Sequence, residues 1–222
     1  MLMTTAVFAA TLFVSCKKDK EGPSGVNSDV LTEANDNKAL GKYSGILLGS
    51  SGYYTIEVRT NGSTATVVFD SKTYKFEGQG SIADGSAVSN YVFQKDGVKI
   101  TFSVGADGKS PTVKIEIPGH NVRATVNKET TKYETQSYIG KMKDTDTNRD
   151  IDPVAMTISN GFVSGYMKVD SSYISISGQK IDTSSNLSIV FSSQPGKAYN
   201  AVISNNKITG GNKYVFDLSK VN

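Results

Sequence analysis

From Leu40 to the C-terminus, apolar and polar side chains alternate in short runs. Tyr54, Ile56 and Val58 alternate with Thr55, Glu57 and Arg59; Ala65, Val67 and Phe69 follow, then Tyr74 and Phe76. Val98, Ile100, Phe102 and Val104 make another run, as do Val113, Ile115 and Ile117, and then Val122, Ala124 and Val126. The later chain keeps the habit in Val154, Met156 and Ile158, in Ile174 and Ile176, and in Leu187, Ile189 and Phe191. Tyr199, Ala201 and Ile203, then Phe216 and Leu218, complete the series. A period of two sends one set of side chains into a core and the other into water, the mark of antiparallel strands. Asn61-Gly62, Asp96-Gly97, Asp107-Gly108 and Asn160-Gly161 fall between runs. They predict type I′ hairpin turns, because these residues accept the positive φ such turns need. No stretch has comparable helical periodicity, so the predicted fold is all-β.

The runs also repeat. Leu40-Gly41-Lys42-Tyr43 matches Ile139-Gly140-Lys141-Met142, and Asn61-Gly62 matches Asn160-Gly161. Asp70-Ser71 and Gly78-Gln79 match Asp170-Ser171 and Gly178-Gln179, all at a spacing of 99–100 residues. Ile100-Thr101-Phe102 with Ile189-Val190-Phe191, and Gly108-Lys109 with Gly196-Lys197, stand 88–89 residues apart. The preserved order predicts two related antiparallel units in tandem, 39–131 and 132–222, with an extra segment of the first around 80–90. Each unit is long enough for a small sandwich or barrel of six to eight strands. The pattern fits two separate cores or one shared core.

Residues 1–15 carry no charge and are mostly apolar, and Cys16, the only cysteine, follows them. A spanning helix needs about 20 apolar residues, so the segment has the length of a signal-peptide apolar region. It lacks the basic start of a secretory signal, which predicts Lys or Arg codons just upstream. Phe13-Val14-Ser15-Cys16 resembles the lipobox of bacterial lipoproteins, and the Ser-Cys-Lys-Lys-Asp continuation resembles those of the Bacteroidota. That resemblance implies cleavage before Cys16, lipidation of its thiol, and a bacterial outer-membrane location on either the periplasmic side or the cell surface. Two or three acyl chains hold a protein at a membrane far more firmly than one. Residues 16–38 then form the lipidated cysteine and a tether, with Glu21-Gly22-Pro23-Ser24-Gly25 too polar and short to build a core.

The formal net charge is +3, from 24 basic and 21 acidic residues. Without a clustered basic surface this argues against a nucleic-acid partner. With a lone cysteine the chain has neither an intrachain disulfide nor a cysteine metal site. His120, the only histidine, follows Pro118-Gly119 in a turn, and no Gly-x-Ser-x-Gly elbow accompanies it, so the residue reads as an exposed loop histidine. Glu57, Glu77 and Glu116 lie on the polar phase of their strands beside Lys or Arg, as solvated ion pairs do. Gly49-Ser50-Ser51-Gly52 lies between strands and reads as a hairpin connection, not a phosphate cradle.

Asp144, Asp146, Asn148, Asp150 and Asp152 present oxygen ligands at every second position. This spacing suits a structural Ca²⁺, although Arg149 occupies the place of the turn glycine and Ala155 that of the bidentate Glu. The competing reading is a solvated acidic loop. Tyr54, Tyr74 and Phe102 fall on core phases, whereas Tyr43, Tyr53, Tyr166 and Tyr173 are candidates for a binding face. These features suggest a non-enzymatic binding or scaffold module for a glycan or another envelope protein. Gly41-Lys42-Tyr43 also resembles the Gly-x-Trp start of lipocalin-like barrels, which implies an alternative carrier of an apolar ligand. A glycan-acting hydrolase is the third reading and requires two carboxylates in one groove.

Overall fold

The computed structural model describes residues 30–49, 52–181 and 184–221. The leader, Cys16 and residues 17–29 of the expected tether lie outside them. The described chain is all-β, as the alternation predicts; its only helical element is a 3-10 turn at Glu33–Asn35.

In the first unit, β1 (Gly41–Leu48), β2 (Gly52–Val58), β3 (Thr64–Phe69) and β4 (Lys72–Glu77) form an antiparallel meander. β5 (Val88–Lys95), β6 (Val98–Val104) and β7 (Thr112–Glu116) make a separate three-stranded sheet. β8 (Arg123–Ala124) and β9 (Asn127–Lys128) return to pair with the other edge of β1. Both sheets wrap one core that includes Tyr43, Tyr54, Phe69, Phe93 and Phe102. The shell is therefore parted along two seams, between β4 and β5 and between β7 and β8.

The second unit has no seam. β10 (Gln136–Asp144), β11 (Arg149–Ser159), β12 (Phe162–Val169), β13 (Ser172–Lys180), β14 (Asn186–Phe191), β15 (Ala198–Ser204), β16 (Lys207–Gly210) and β17 (Tyr214–Lys220) form a closed barrel. Tyr138, Met156, Leu187, Phe191, Phe216 and Leu218 fill its interior, as suits an eight-stranded barrel just wide enough for side chains. Pro153 breaks the alternation of β11 where the register with β10 shifts between Gly140 and Met142. A bulge is a place where a strand tolerates a residue with no N–H to donate.

Each unit keeps its own core, and a third cluster joins them. On β1, Tyr43 and Leu47 face the first core, while Ile46 and Leu48 face Ala155, Ile139, Tyr166 and Tyr173 of the second unit. β1 is thus buried on both faces. The joint also has a polar part: Asn127 Nδ2 donates to Thr157 Oγ1 at 3.0 Å, and Thr157 Oγ1 donates to the Ser164 carbonyl at 3.1 Å. Glu129, buried in the connection between the units, accepts from Ser44 Oγ (2.6 Å) and pairs with Lys42 Nζ (2.9 Å). A buried charge needs such partners to offset its desolvation.

Two of the four predicted turns have the expected form. Asp96-Gly97 and Asn160-Gly161 are two-residue connections with both φ values positive. Asn61-Gly62 and Asp107-Gly108 instead lie in longer loops, and only the glycine of each pair has positive φ. Three equally tight turns lack glycine: Asp70-Ser71 and Asn205-Asn206 have both φ values positive, and Asp170-Ser171 has a positive φ at Asp170. Asp and Asn tolerate that region.

The 99–100-residue spacing keeps the first four strands of the two units in step. The match of Ile100 with Ile189 does not. It equates the sixth strand of the first unit with the fifth of the second, and successive strands of a meander run in opposite senses.

Candidate functional site

Ile117, Pro118, Gly119 and His120 turn the chain after β7, with the His120 N–H donating to the Ile117 carbonyl at 3.0 Å. In a regular hairpin the following residues would pair back along β7. Instead they part from it, and Arg123 and Ala124 pair with Leu48 and Leu47 of β1. The space between β7 and β8 is a cleft of about 630 Å³, lined by Val113, Ile115 and Glu116 on one side and Val122 and Arg123 on the other. Tyr166 of the second unit also lines it. Shallower hollows run on from it past Asn121, Tyr173, Ser172 and Ser175 of the joint.

The joint holds this region in place. Tyr166 and Tyr173 pack against the cluster formed by Ile46, Leu48 and Ala155. The Tyr173 hydroxyl donates to the Asn121 carbonyl, and the Arg123 guanidinium lies 5.7 Å from the centre of the Tyr173 ring. Such a contact is a cation–π interaction. A Cβ on Gly49 would stand 2.4 Å from the Asn121 carbonyl oxygen and 3.1 Å from the Tyr173 hydroxyl, so only glycine lets the chain pass this close.

The acids near the cleft already have cations. Glu116 accepts from Lys114 at 2.8 Å; this bond, with the positive charge of Lys114 and Lys99, holds its carboxyl below the ordinary range. Asp170 takes Arg149 at 2.5 Å. His120 is exposed and sets its ring edge-on against Phe69, with centroids 4.9 Å apart. Glu57 is paired with Arg59 at 2.7 Å, and Glu77 is exposed at the end of β4. The cleft region offers apolar side chains, the His120 imidazole and the Lys114–Glu116 pair together with tyrosine rings, hydroxyls, an amide and a guanidinium.

The tyrosine candidates divide. Tyr43 is fully buried, its hydroxyl donating to the Ala39 carbonyl at 2.8 Å, and burial raises its pKa. Tyr53 is half-buried on β2, directly opposite Ile46 of β1 and so on the joint face of the sheet. Tyr166 and Tyr173 line the cleft region. Asn121 and Arg123, which sequence reasoning did not single out, join them. Their only local signal was the Pro118-Gly119 turn just before.

The acidic run forms the hairpin between β10 and β11. Asp144 pairs with Arg149 across it, and Asp144 Oδ1 accepts the Asp146 N–H at 3.0 Å. Asp146 is bound by Lys213 at 2.6 Å, a bond that raises the lysine's pKa. Asn148 takes a positive φ in the turn. Asp150 and Asp152 flank buried Ile151 and are exposed on the outside of the barrel. Among the described residues, no three His, Cys, Asp or Glu side chains gather as metal ligands.

Cys16 lies outside the described residues, and among them no helix is long and apolar enough to cross a membrane. The chain matches no family model, and no curated protein or solved structure is significantly similar to it.

Proposed function

We propose that this chain is a cell-envelope lipoprotein, lipidated on Cys16 and tethered through residues 17–29, whose two β units act as a non-enzymatic binding module. The expected tether does not extend to residue 38, because Val30 is buried and Asp36 and Lys38 bond to Thr131 and Asp84 of the body. The ligand class we favour is a hydroxyl-rich glycan held at the cleft. One observation carries this reading: Tyr166 and Tyr173 stand beside Arg123, Asn121 and a row of serines in a concavity built jointly by both units. Aromatic rings cover the apolar faces of sugars, and amide, guanidinium and hydroxyl groups meet their hydroxyls. The carrier reading draws less support, because side chains fill the interior of the closed barrel. The hydrolase reading draws less as well, since Glu116 and Asp170 are each engaged by a cation. The shared 99–100-residue spacing of the first four strands supports an origin by duplication.

Glycan arrays followed by calorimetry test the reading. A bound glycan should lose roughly tenfold in affinity, about 1.4 kcal/mol, on Arg123→Ala or Tyr166→Ala, with the Arg123→Ala protein unfolding at the same midpoint. Glycan binding that survives both substitutions sinks the assignment of the cleft. Capture of an extended peptide that slows hydrogen exchange in β7 would instead assign the cleft to strand pairing, because among the described residues β7 pairs only with β6.

A further inference from the structure

Phe162, at 66% exposure, is the most exposed large apolar side chain among the described residues. It stands at the tip of the β11–β12 hairpin, immediately after Asn160-Gly161. Ile181 lies beside this tip, because the N–H of the preceding Lys180 donates to the Gly161 carbonyl at 2.7 Å. Val202 lines the same hollow as Ile181, and both are more than a third exposed. Lysines surround this end of the barrel: Lys180, Lys207 at the start of β16, and Lys220 at the end of β17. The Lys220 N–H donates to the Asn206 carbonyl in the adjoining turn. Lys207 stands 3.9 Å from Asp217. Apolar tips among cations make a surface suited to the boundary of an anionic bilayer.

The N-terminal segment reaches the body at this same end. Asp36, six residues after the first described residue, accepts from the N–H (2.9 Å) and hydroxyl (2.7 Å) of Thr131 in the connection between the units. The connection continues to Thr135, whose hydroxyl donates to Ser159 Oγ at 3.3 Å, beside the turn that carries Phe162. Thirteen residues separate Cys16 from Val30, a span of at most about 45 Å when fully extended. An anchor on Cys16 therefore keeps this end of the barrel within reach of the lipid.

We propose that this end of the second unit docks on the lipid surface, with Phe162 at headgroup depth and the lysines against lipid phosphates. The proposal rests on Cys16 being the anchor. It orients the protein, because Gly49, His120 and Tyr173 of the cleft region lie at the opposite ends of β1 and of the barrel.

The chain has one cysteine and no tryptophan, which makes the test direct. The full chain carrying Phe162→Trp is coupled through Cys16 to maleimide lipid in phosphatidylethanolamine–phosphatidylglycerol vesicles, so attachment does not depend on cellular processing. Emission from the indole introduced by Phe162→Trp should shift to the blue and be quenched by brominated lipid. A Thr147→Trp reporter at the other end of the barrel should do neither. Emission of the Phe162→Trp chain that lipid leaves unchanged, equal quenching at both ends, or a shift that follows protein concentration without vesicles would each overturn docking, the last in favour of self-association. The anchor is checked separately by the mass of the exported N-terminus. An unmodified Cys16 there overturns the lipoprotein reading whatever the fluorescence reports.

Discussion

The two units start from the same meander and reach different shells. In the second, β13 and β14 share five register pairs, and β10 closes on β17 along most of its length. In the first, the same stage of the meander is interrupted by residues 78–87, and β4 does not pair with β5. Ile82 from this segment is buried in the core, and its N–H donates to the Thr60 carbonyl at 2.9 Å. A side chain thus fills the gap that a ladder fills in the barrel. At the other seam, β8 trades pairing with β7 for pairing with β1. A closed shell abolishes strand edges; a parted one retains edges that must be covered or used. β7 carries Lys114 and Glu116 on its exposed face, charges that discourage indiscriminate pairing while leaving the cleft beside them accessible. The closed unit supplies rigidity and one wall of the site, and the parted unit supplies the opening.

The largest test of this contrast is removal of the barrel's central aromatic. Phe191 touches Tyr199, Tyr214 and Phe216, with centroids 5.2, 5.0 and 6.4 Å away. Phe191→Ala should lower stability by about 3–5 kcal/mol, read from urea unfolding. If the joint couples the units, the whole chain should still unfold in one transition at the lower midpoint. A separate early transition of the second unit would break the picture of a common wall.

A matched pair of glycines gives a smaller, sharper comparison. A Cβ on Gly178 in β13 would stand 2.1 Å from the Ser188 carbonyl oxygen and 3.1 Å from Ile189 Cα, both backbone atoms of the neighbouring strand. For its counterpart Gly78, at the parted seam, the nearest atoms a Cβ would meet belong to the side chain of Tyr91, at 2.4 Å. The Tyr91 ring is half-buried and held by side-chain contacts, edge-on to Phe93 at 5.2 Å and through a 3.4 Å hydroxyl bond to the Gly80 carbonyl, not by a backbone ladder. Gly178→Ala should cost about 1–3 kcal/mol, as overpacking does, and Gly78→Ala less. Equal losses by thermal unfolding would mean that the seam is as unyielding as the barrel.

The smallest effect concerns Lys128, which caps the β1 end of the first unit. Its ammonium donates to the carbonyls of Lys38 (2.6 Å) and Leu40 (2.8 Å), and lies over the Tyr43 ring at 4.9 Å. Burial depresses its pKa to about 8, against an ordinary 10.5. The folded chain therefore binds fewer protons than the unfolded chain between those values, and Lys128 favours folding increasingly as pH rises through them. Tyr54 opposes this: burial raises its pKa, so its contribution is lost as pH rises above the ordinary 10. Comparison with Lys128→Met separates the two. The stability difference, wild type minus variant, should rise from pH 8 to pH 10, and a flat difference would exclude the lysine's burial as its cause.

The strands were legible because burial on one face leaves a period-two trace. The joint had a trace too. Ile46-Leu47-Leu48 and Val154-Ala155-Met156 are uninterrupted by polar residues, and these are the stretches buried on both faces. Such unbroken apolar stretches mark the strand that each unit uses as a wall against the other. Tyr166 and Tyr173 were visible as misfits to the core pattern, and they line the cleft region. Arg123 was hidden in plain alternation between Val122 and Ala124, since its importance comes from β8 leaving β7. That choice of partner is made between residues far apart in sequence, and no local periodicity records it. The tight turns at Asp70-Ser71, Asp170-Ser171 and Asn205-Asn206 have no glycine to mark them in the sequence.

β1 also has a mechanical consequence. If the chain is held at its N-terminus and a ligand pulls at the cleft, tension enters at Gly41 and leaves near Leu48, along the strand's own axis. The seven register pairs with β2 and the pairs with β8 and β9 then resist together in shear, whereas peeling would break them one at a time. Forced rupture is governed by the unfolding rate rather than by equilibrium stability. Under such a load, the strand that joins the two units would act as a strut.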